Sequence, residues 1–309
     1  MEAQAEGFDP EIVEFARYAL INQGKRLRPV LLGSCGRLFG GLTESHTLAA
    51  TIVEMVHLAT LVHDDVMDEA DMRRSRPTVR SQWGNEVSVL LGDCFFAQAL
   101  ALASEFPTTT VCRLVSRATR QVCSGEIIQN LQRDSVVPNK ERYFNILGKK
   151  TAELFAVACE LGAHVSGATE EEQRAVRDFG YEFGVAYQIY DDCLDLFGRE
   201  EVAGKSLRSD YYKSKATLPI LIALERASGS DLEELLTALR EPNETHWRIV
   251  SQAMDRYGAL QGALEALRDR VSRASIALGE GRWRGDAAPL ERLLAFLGQK
   301  ADEMLVVDA

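Results

Sequence analysis

The sequence predicts an all-α fold, and three observations carry that prediction. Apolar residues recur three and four positions apart, as in ERYFNILGKKTAELFAVACELGAHVSG (141–167), which is the period of a helix with one buried face. No proline interrupts the chain between Pro138 and Pro219. No long run alternates apolar and polar residues as a half-buried strand does. We therefore expect a single domain over residues 1–309, with about ten or more helices.

The composition bears on whether the protein binds nucleic acid and on the cellular compartment in which it works. With 35 basic and 46 acidic residues, the net charge of −11 does not favour nucleic acid as a partner. The six cysteines show no CxxC spacing, and the acidic N-terminal segment lacks the apolar core of a signal peptide. We expect a cytoplasmic protein whose cysteines are reduced and buried.

The first half of the chain contains a basic segment, an acidic cluster and an apolar stretch. The basic segment is GKRLRP (24–29). An apolar helix then leads into LVHDDVMDEADMRR (61–74), where Asp64 and Asp68 lie one helical turn apart on the same face. The stretch VSVLLGDCFFAQALALA (87–103) is interrupted by an aspartate and is short for a bilayer span. We expect a buried helix there and no transmembrane segment.

The second half of the chain repeats the acidic pattern. A periodic helix ends in QIYDDCLD (188–195), which matches LVHDDVMD (61–68) in placing an aromatic ring before Asp-Asp-x-apolar-Asp. Two copies of so unusual a cluster indicate a shared purpose. The segment ALREPNETH (238–246) has loop character, and we expect it to connect helices within the same domain.

The acidic clusters are typical of magnesium sites. Like charges one turn apart cost helix stability, so an isolated helix gains nothing from them. A solvated helix end is the alternative for either cluster alone, but apolar residues precede both clusters closely, which predicts a pocket. Mg²⁺ prefers oxygen ligands, keeps several waters and bridges carboxylates to substrate phosphates. Two facing clusters would therefore hold a diphosphate through magnesium ions.

Cationic side chains flank both clusters, as a diphosphate site requires. Taken singly, each is an ordinary surface residue, but together they form a set of anion-binding groups. The set comprises Lys25, Arg28, Arg73, Arg74, Lys149, Lys150, Lys205 and Lys215.

On these segments the chain resembles the trans-isoprenyl diphosphate synthases, a family of all-helical head-to-tail prenyltransferases, and in particular their long-chain members. The shared motifs are GKRLRP, HDDVMDEADMRR, GKKTAEL, YQIYDDCLD and the GK and KATLP that follow. They occur in the family's order from about residue 20 to residue 225. The resemblance implies the isoprenoid synthase fold, in which the helices surround a central active-site cavity. It also implies a Mg²⁺-dependent condensation of isopentenyl diphosphate with an allylic diphosphate. Ionisation of the allylic diphosphate would give a carbocation, which the isopentenyl double bond attacks before a proton is lost.

The resemblance also implies a role for each site residue. The residues that would hold isopentenyl diphosphate are Lys25, Arg28, His57 and Arg74. Those that would hold three magnesium ions on the allylic diphosphate are Asp64, Asp65, Asp68, Asp191, Asp192 and Asp195. Contacts to that diphosphate would come from Arg73, Lys150, Lys205 and Lys215, and carbocation stabilisation from Thr151 and Gln188.

Two features depart from the family pattern. The family usually has glycine where this chain has Arg208 and Ser214, so we expect a stiffened or repositioned loop that keeps Lys205 and Lys215. The arm before GKRLRP has only 23 residues, which predicts a short first helix. That helix often helps to form the dimer in this family. We expect a homodimer, with a heteromeric partner as the alternative.

Two small residues predict a long product. In this family, bulky aromatics four and five positions before the first aspartate stop chain growth, and here those positions are Thr60 and Ala59. We expect an open tunnel and an all-trans product longer than farnesyl diphosphate, with Ile127, Ile128 or Leu131 near its floor. The alternative for Ala59 is that it only permits close helix packing.

Other functions are weaker alternatives. A short-chain farnesyl or geranylgeranyl diphosphate synthase and a subunit of a heteromeric prenyltransferase share the motifs, although regulatory subunits usually lose aspartates that this chain keeps. A di-iron protein would need a second ExxH beside Glu54-Met-Val-His57. A metal phosphohydrolase would need more metal-binding histidines than His63-Asp64 provides. A class I terpene cyclase would have a different second metal motif.

Overall fold

The structure is a computed structural model that describes residues 1–21, 24–131, 139–198, 207–281 and 283–306. Within these ranges the chain is helical apart from loops and two strands of two residues, which confirms the all-α prediction. The helices of the N-terminal half are α1 (Glu2–Ala5), α2 (Val13–Ile21), α3 (Leu27–Arg37), α4 (Glu44–Met67), α5 (Val79–Ser104) and α6 (Thr110–Asn130). Next come α7 (Lys140–Leu147), a π-helix (Gly148–Ala152), α8 (Glu153–Val165) and α9 (Glu170–Phe197). The remaining helices are α10 (Ser209–Tyr212), α11 (Leu218–Arg226), α12 (Ser230–Arg240), α13 (Glu244–Arg256), α14 (Ala259–Gly279) and α15 (Ala288–Val306).

The helices form two compact units, each assembled from three stretches of chain. The first unit comprises Met1–Arg120, Val157–Arg177 and Arg282–Ala287. The second comprises Gln121–Ala156, Asp178–Gly281 and Ala288–Ala309. The organisation as one domain stays a prediction.

Helix α4 is the central element of the first unit. Its N-terminus is capped by His46, whose Nδ1 accepts a hydrogen bond from the Thr43 backbone N–H at 3.1 Å. The other ring nitrogen of His46 lies 2.8 Å from the Ser166 hydroxyl and donates to it, because Nδ1 is the acceptor. Ile52, Met55 and other apolar residues of the helix are fully buried. The apolar pattern before the first acidic cluster therefore forms a core helix, which fixes the position of the cluster at its end.

A short hairpin follows α4 and was not predicted. Strand β1 (Met72–Arg73) pairs antiparallel with β2 (Arg76–Pro77). The turn residues Arg74 and Ser75 have φ values of 51° and 60°. Two-residue hairpins need positive φ at both turn positions, and Asn-Gly is their usual sequence. Because arginine and serine stand there instead, the sequence carries no hairpin signal.

Helix α5 is buried on one face only. Leu91 and Phe95 lie in the core, whereas Leu90 and Leu100 are 64% and 41% exposed. The prediction of a buried helix over 87–103 is therefore wrong for the outer face. By length and composition alone, α4 and α5 are both apolar enough to span a bilayer, with 56% and 39% of their apolar windows buried in the protein.

The second unit contains the other acidic helix, α9. Phe155, Phe183 and Tyr187 form a ring cluster with centroid separations of 5.7 to 6.4 Å. A Cβ atom on Gly184 of α9 would lie 2.8 Å from the Cα of Ala152, so glycine allows α9 to approach the π-helix closely. This approach fixes the spacing between the GKKT segment and the second acidic cluster.

The two residues that replace family glycines adopt the backbone conformation that glycine favours. Arg208 and Ser214 have φ values of 63° and 55°, in the left-handed region. This conformation costs a non-glycine residue about 1–2 kcal/mol. The substitutions have therefore added backbone strain at these positions.

The prediction of buried cysteines is confirmed for three of the six. All six are free. Cys35, Cys159 and Cys193 are buried and Cys94 and Cys112 are half-buried, but Cys123 on α6 is exposed, so the expectation of buried cysteines is wrong for it.

Candidate active site

Asp64 and Asp68 lie at the C-terminal end of α4. The Asp68 backbone N–H donates to the Asp64 carbonyl at 2.8 Å, which closes the last turn, and both residues are half-buried. The C-terminal end of a helix carries partial negative charge, so each carboxylate there costs about 0.3–1 kcal/mol. A bound cation would offset this repulsion.

Asp65, between them, has a different environment. It is buried, and Nε and Nη2 of Arg73 each lie 2.8 Å from its Oδ1 atom. Arg73 is in β1, so this ion pair ties the hairpin to the end of α4. The Arg73 side chain keeps 29% of its surface exposed. Asp65 thus supports the site by orienting Arg73.

The structure brings together cationic groups that were predicted to bind isopentenyl diphosphate. The Arg74 guanidinium lies against Gly24, the first residue of GKRLRP, where any Cβ atom would collide with it. Burial, followed by the positive charges of Arg28 and Arg74, lowers the pKa of His57 well below its usual 6.5. His57 is therefore neutral at neutral pH, and its protonation opposes folding as the pH falls below 6.5. Lys25 is exposed next to Gly24.

Glu54 belongs to this cationic cluster and was missed as a site residue. It lies one turn before His57 on α4 and is 7% exposed, and its buried Oε2 atom has no hydrogen-bond partner among the residues that the structure describes. Burial raises the pKa of its carboxyl group, and the nearby Arg28, Arg26 and Arg74 lower it in part. The ExxH pattern that suggested iron is therefore surrounded by arginines, which disfavours a metal ion there.

The second acidic cluster lies in the last turns of α9, where the helix dipole is again unfavourable for carboxylates. Asp191 is half-buried, whereas Asp192 is buried. The Asp192 carboxylate accepts from the Tyr143 hydroxyl at 2.6 Å and from Gln188 Nε2 at 2.8 Å. Burial, and next the charge of Asp210, raise the pKa of Asp192 well above its usual range. Asp192 is thus anchored within the protein beside the more accessible Asp191.

Asp195 is fully buried and caps helix α10. Its Oδ1 accepts from the Ser209 hydroxyl and its Oδ2 from the Asp210 backbone N–H, both at 3.1 Å. Its backbone carbonyl accepts from the Arg208 N–H at 2.8 Å. These contacts give Asp195 the role of holding residues 208–210 against the end of α9.

The GKKT segment forms a π-helix, which is rare and is frequent at functional sites. A Cβ atom on Gly125 of α6 would lie 2.8 Å from the backbone nitrogen of Lys150, so α6 runs directly against the π-helix. The Thr151 hydroxyl donates to Gln188 Oε1 at 3.1 Å. With the bond from Gln188 to Asp192, a hydrogen-bonded chain joins the π-helix to the second acidic cluster.

Lys150 is held by two residues that sequence reasoning did not assign. Its Nζ forms an ion pair with Glu126 and donates to Gln129 Oε1 at 2.9 Å. The signal was present in GEIIQ, where a glutamate and a glutamine lie three positions apart, on one face of a helix. Of the three residues predicted near the tunnel floor, Ile127 and Leu131 are 59% and 73% exposed, whereas Ile128 is half-buried. The position of the floor stays a prediction.

The remaining predicted residues are placed as follows. Lys205 lies outside the described residues. Lys215 is half-buried, and its backbone N–H donates to the Asp210 carbonyl at 2.8 Å, next to α10. Ala59 is fully buried, whereas Thr60 is half-buried and donates its hydroxyl to the His57 carbonyl at 2.7 Å.

The donor set fits a divalent cation that is shared with a phosphate ligand. In the ranges that the structure describes, no group of three or more histidine, cysteine, aspartate or glutamate side chains could by itself enclose an ion. Mg²⁺ does not need such a cage, since one or two carboxylates, waters and phosphate oxygens complete its shell. Asp64 and Asp68 offer two carboxylates at the C-terminal end of α4, and Asp191 offers one near the C-terminal end of α9.

Comparisons with known proteins agree with this chemistry. A family model described as polyprenyl synthetase matches residues 9–256. An octaprenyl diphosphate synthase from Escherichia coli is 31% identical over 268 residues, covering 86% of this chain and 83% of that protein. Component 2 of the heptaprenyl diphosphate synthase from Bacillus subtilis is 32% identical over 290 residues, covering 92% and 82%. Geranylgeranyl diphosphate synthases also match.

A solved structure shows the same fold. The polyprenyl synthase from Caulobacter crescentus, crystallised with calcium and isoprenyl diphosphate, superimposes with a TM-score of 0.86 at 34% identity. The match covers 95% of this chain and 89% of that one.

Proposed function

The chain belongs to the polyprenyl synthetase family, and from this premise we propose that it makes an all-trans polyprenyl diphosphate longer than farnesyl diphosphate. It is a prenyltransferase that condenses isopentenyl diphosphate with an allylic diphosphate. The observation that supports this reaction is the pair of carboxylate clusters at the C-terminal ends of α4 and α9, where helix dipoles disfavour them. Such placement is explained by cation and diphosphate binding. The long product is supported by the small residues Ala59 and Thr60 and by the octaprenyl and heptaprenyl relatives.

The side chains have distinct tasks in the proposed reaction. Lys25, Arg28, His57 and Arg74 bind isopentenyl diphosphate. Three magnesium ions, held by Asp64, Asp68 and Asp191 with support from the buried aspartates, would neutralise charge on the departing diphosphate. Arg73, Lys150 and Lys215 bind oxygens of the same group.

The bonds change in a balanced sequence. The allylic carbon–oxygen bond breaks, and its electron pair leaves with the diphosphate. The isopentenyl double bond attacks the carbocation to form the new carbon–carbon bond, and the released diphosphate accepts the proton that is lost. Thr151 donates its hydrogen to Gln188, which leaves the hydroxyl oxygen lone pairs available to stabilise positive charge. Apolar surroundings protect the cation from water.

An assay with a series of primers tests the function. The purified protein is incubated with Mg²⁺, isopentenyl diphosphate and, in turn, dimethylallyl, geranyl, farnesyl and geranylgeranyl diphosphate, and products are sized by mass spectrometry. We expect products longer than farnesyl diphosphate and no turnover with EDTA. Products that end at farnesyl would support the short-chain alternative, and turnover in EDTA would exclude the metal role.

A phenylalanine at position 60 should shorten the product. Thr60 is half-buried and lies one turn before Asp64 on the same helix face, so a bulky ring there enters the space next to the aspartates. We expect Thr60→Phe to shorten the carbon chain of the product by one or more five-carbon units while turnover continues. Ala59→Phe should have the same effect on length, but Ala59 is fully buried and overpacking there costs about 1–3 kcal/mol. Thr60→Ser is the matched control. Unchanged length in Thr60→Phe would show that this wall does not determine size.

We also propose a cytoplasmic homodimer. On the outer face of α5, Leu90 and Leu100 are 64% and 41% exposed. They form an apolar surface that a second copy would cover through two-fold symmetry. Light scattering after gel filtration should give twice the chain mass, and Leu90→Glu should give the monomer. The Bacillus relative is named as one component of a synthase, so a monomer that is inactive alone would instead favour a heteromeric partner.

A further inference from the structure

Residues 208–212 contact the second acidic cluster on one side and α13 on the other. These contacts point to a role for Arg208. We propose that Arg208 is a positioning residue. By stacking on Trp247 it holds residues 208–212 in place, and these residues hold Asp195. The position of Asp195 in turn fixes the orientation of the last turns of α9, where Asp191 would bind the allylic diphosphate through a metal ion. The inference rests on the proposed function and extends it to a residue at which this chain departs from the family motif.

On one side, the segment is bonded to the second motif. The Arg208 N–H donates to the Asp195 carbonyl at 2.8 Å. The Ser209 hydroxyl and the Asp210 N–H each donate to the Asp195 carboxylate at 3.1 Å. Asp195 has no exposed surface, so its position is set by these partners and by its helix. Asp191 lies one turn earlier on the same face of α9 and follows the orientation of that turn.

On the other side, the same segment is held by α13. The Arg208 guanidinium carbon lies 4.9 Å from the Trp247 ring centroid, and Nη1 lies 3.5 Å from Glu244. The Tyr212 hydroxyl donates to Glu244 at 2.7 Å, and the Tyr211 ring contacts Trp247 with centroids 5.1 Å apart. Trp247 is buried, so the guanidinium stacks on a fixed surface.

The backbone supplies an independent reason to assign a role to this side chain. Arg208 has a φ of 63°, which glycine adopts without strain. A chain that keeps this conformation with arginine gains a cation–π contact that glycine cannot make. The strain at Arg208 is therefore offset through its side chain.

Three variants separate the effect of the contact between Arg208 and Trp247 from the effect of the strained backbone conformation at position 208. Arg208→Ala removes the side chain but keeps a strained residue, Arg208→Gly removes both, and Arg208→Lys keeps a cation over Trp247. Arg248→Ala, an exposed arginine next to Trp247 on α13, is the matched control for charge. Calorimetry measures binding of farnesyl S-thiolodiphosphate with Mg²⁺, kinetics measure KM for isopentenyl diphosphate, and thermal melting measures stability.

We expect Arg208→Ala and Arg208→Gly to weaken binding of the farnesyl analogue about five- to tenfold. KM for isopentenyl diphosphate should change less than twofold, Arg208→Lys should restore most of the affinity, and Arg208→Gly should melt above Arg208→Ala. Analogue binding by Arg208→Ala within twofold of the wild type would overturn the inference. If the wild-type protein does not bind the analogue, the proposed function fails instead.

Discussion

Replacing Asp64 with asparagine should lower kcat about 100- to 1,000-fold, the size of effect seen when one electrostatic contact to a developing anion is removed. Asparagine keeps the shape of the side chain but loses the charge that holds the cation. Because asparagine and aspartate are isosteric, the substitution leaves the packing of this half-buried position unchanged. The measurement is steady-state turnover at several Mg²⁺ concentrations, and the apparent Mg²⁺ requirement should rise.

Two further substitutions make this test specific. Asp71→Asn changes an acidic residue of the same motif that is exposed and paired with Arg80, so kcat should stay within about threefold. Asp65→Asn removes the charge that pairs with Arg73 and should lower the melting temperature as well, because losing a hydrogen bond to a charged group costs about 1.5–3 kcal/mol. If Asp64→Asn and Asp71→Asn behaved alike, the first cluster would have no role in binding metal.

Replacing Lys150 with glutamine should lower kcat about 100-fold, since a fixed cation next to the leaving group is lost. Its partner Glu126 contributes only by placing the lysine. We therefore expect Glu126→Gln to lower kcat about 10- to 100-fold, the range that a displacement of about 1 Å can cause. The Lys140→Gln variant, which changes a lysine of the neighbouring helix α7 that pairs with Glu225, is the matched control.

The double variant decides whether Glu126 acts through Lys150. If it does, Glu126→Gln combined with Lys150→Gln should be no slower than Lys150→Gln alone, because residues that act as a unit are not additive. Thermal melting should accompany the kinetics, as Glu126 is buried. If the fold-decrease in kcat of the double variant equalled the product of the two single fold-decreases, the two residues would act independently.

The helices and the acidic clusters were predictable because their signals are local. The 3.6-residue period of the segment before Asp64 determines a core helix, and α4 has that form. The roles assigned to the site residues stay predictions, and the structure adds their surroundings, such as the arginines near His57. The hairpin turn at Arg74 and Ser75 was not predictable, since neither residue type favours positive φ.

The sequence by itself determined an all-α fold with two aspartate clusters, because residue spacing within a helix fixes which side chains share a face. The prenyltransferase activity was predicted from the resemblance of its motifs to those of a known family. Only the tertiary structure decided how the six aspartates divide between accessible carboxylates and buried anchors. Tyr143 reaches Asp192 across 49 positions, and Arg208 reaches Trp247 on another helix. Such contacts depend on how distant helices pack, and no local pattern in the chain encodes that packing.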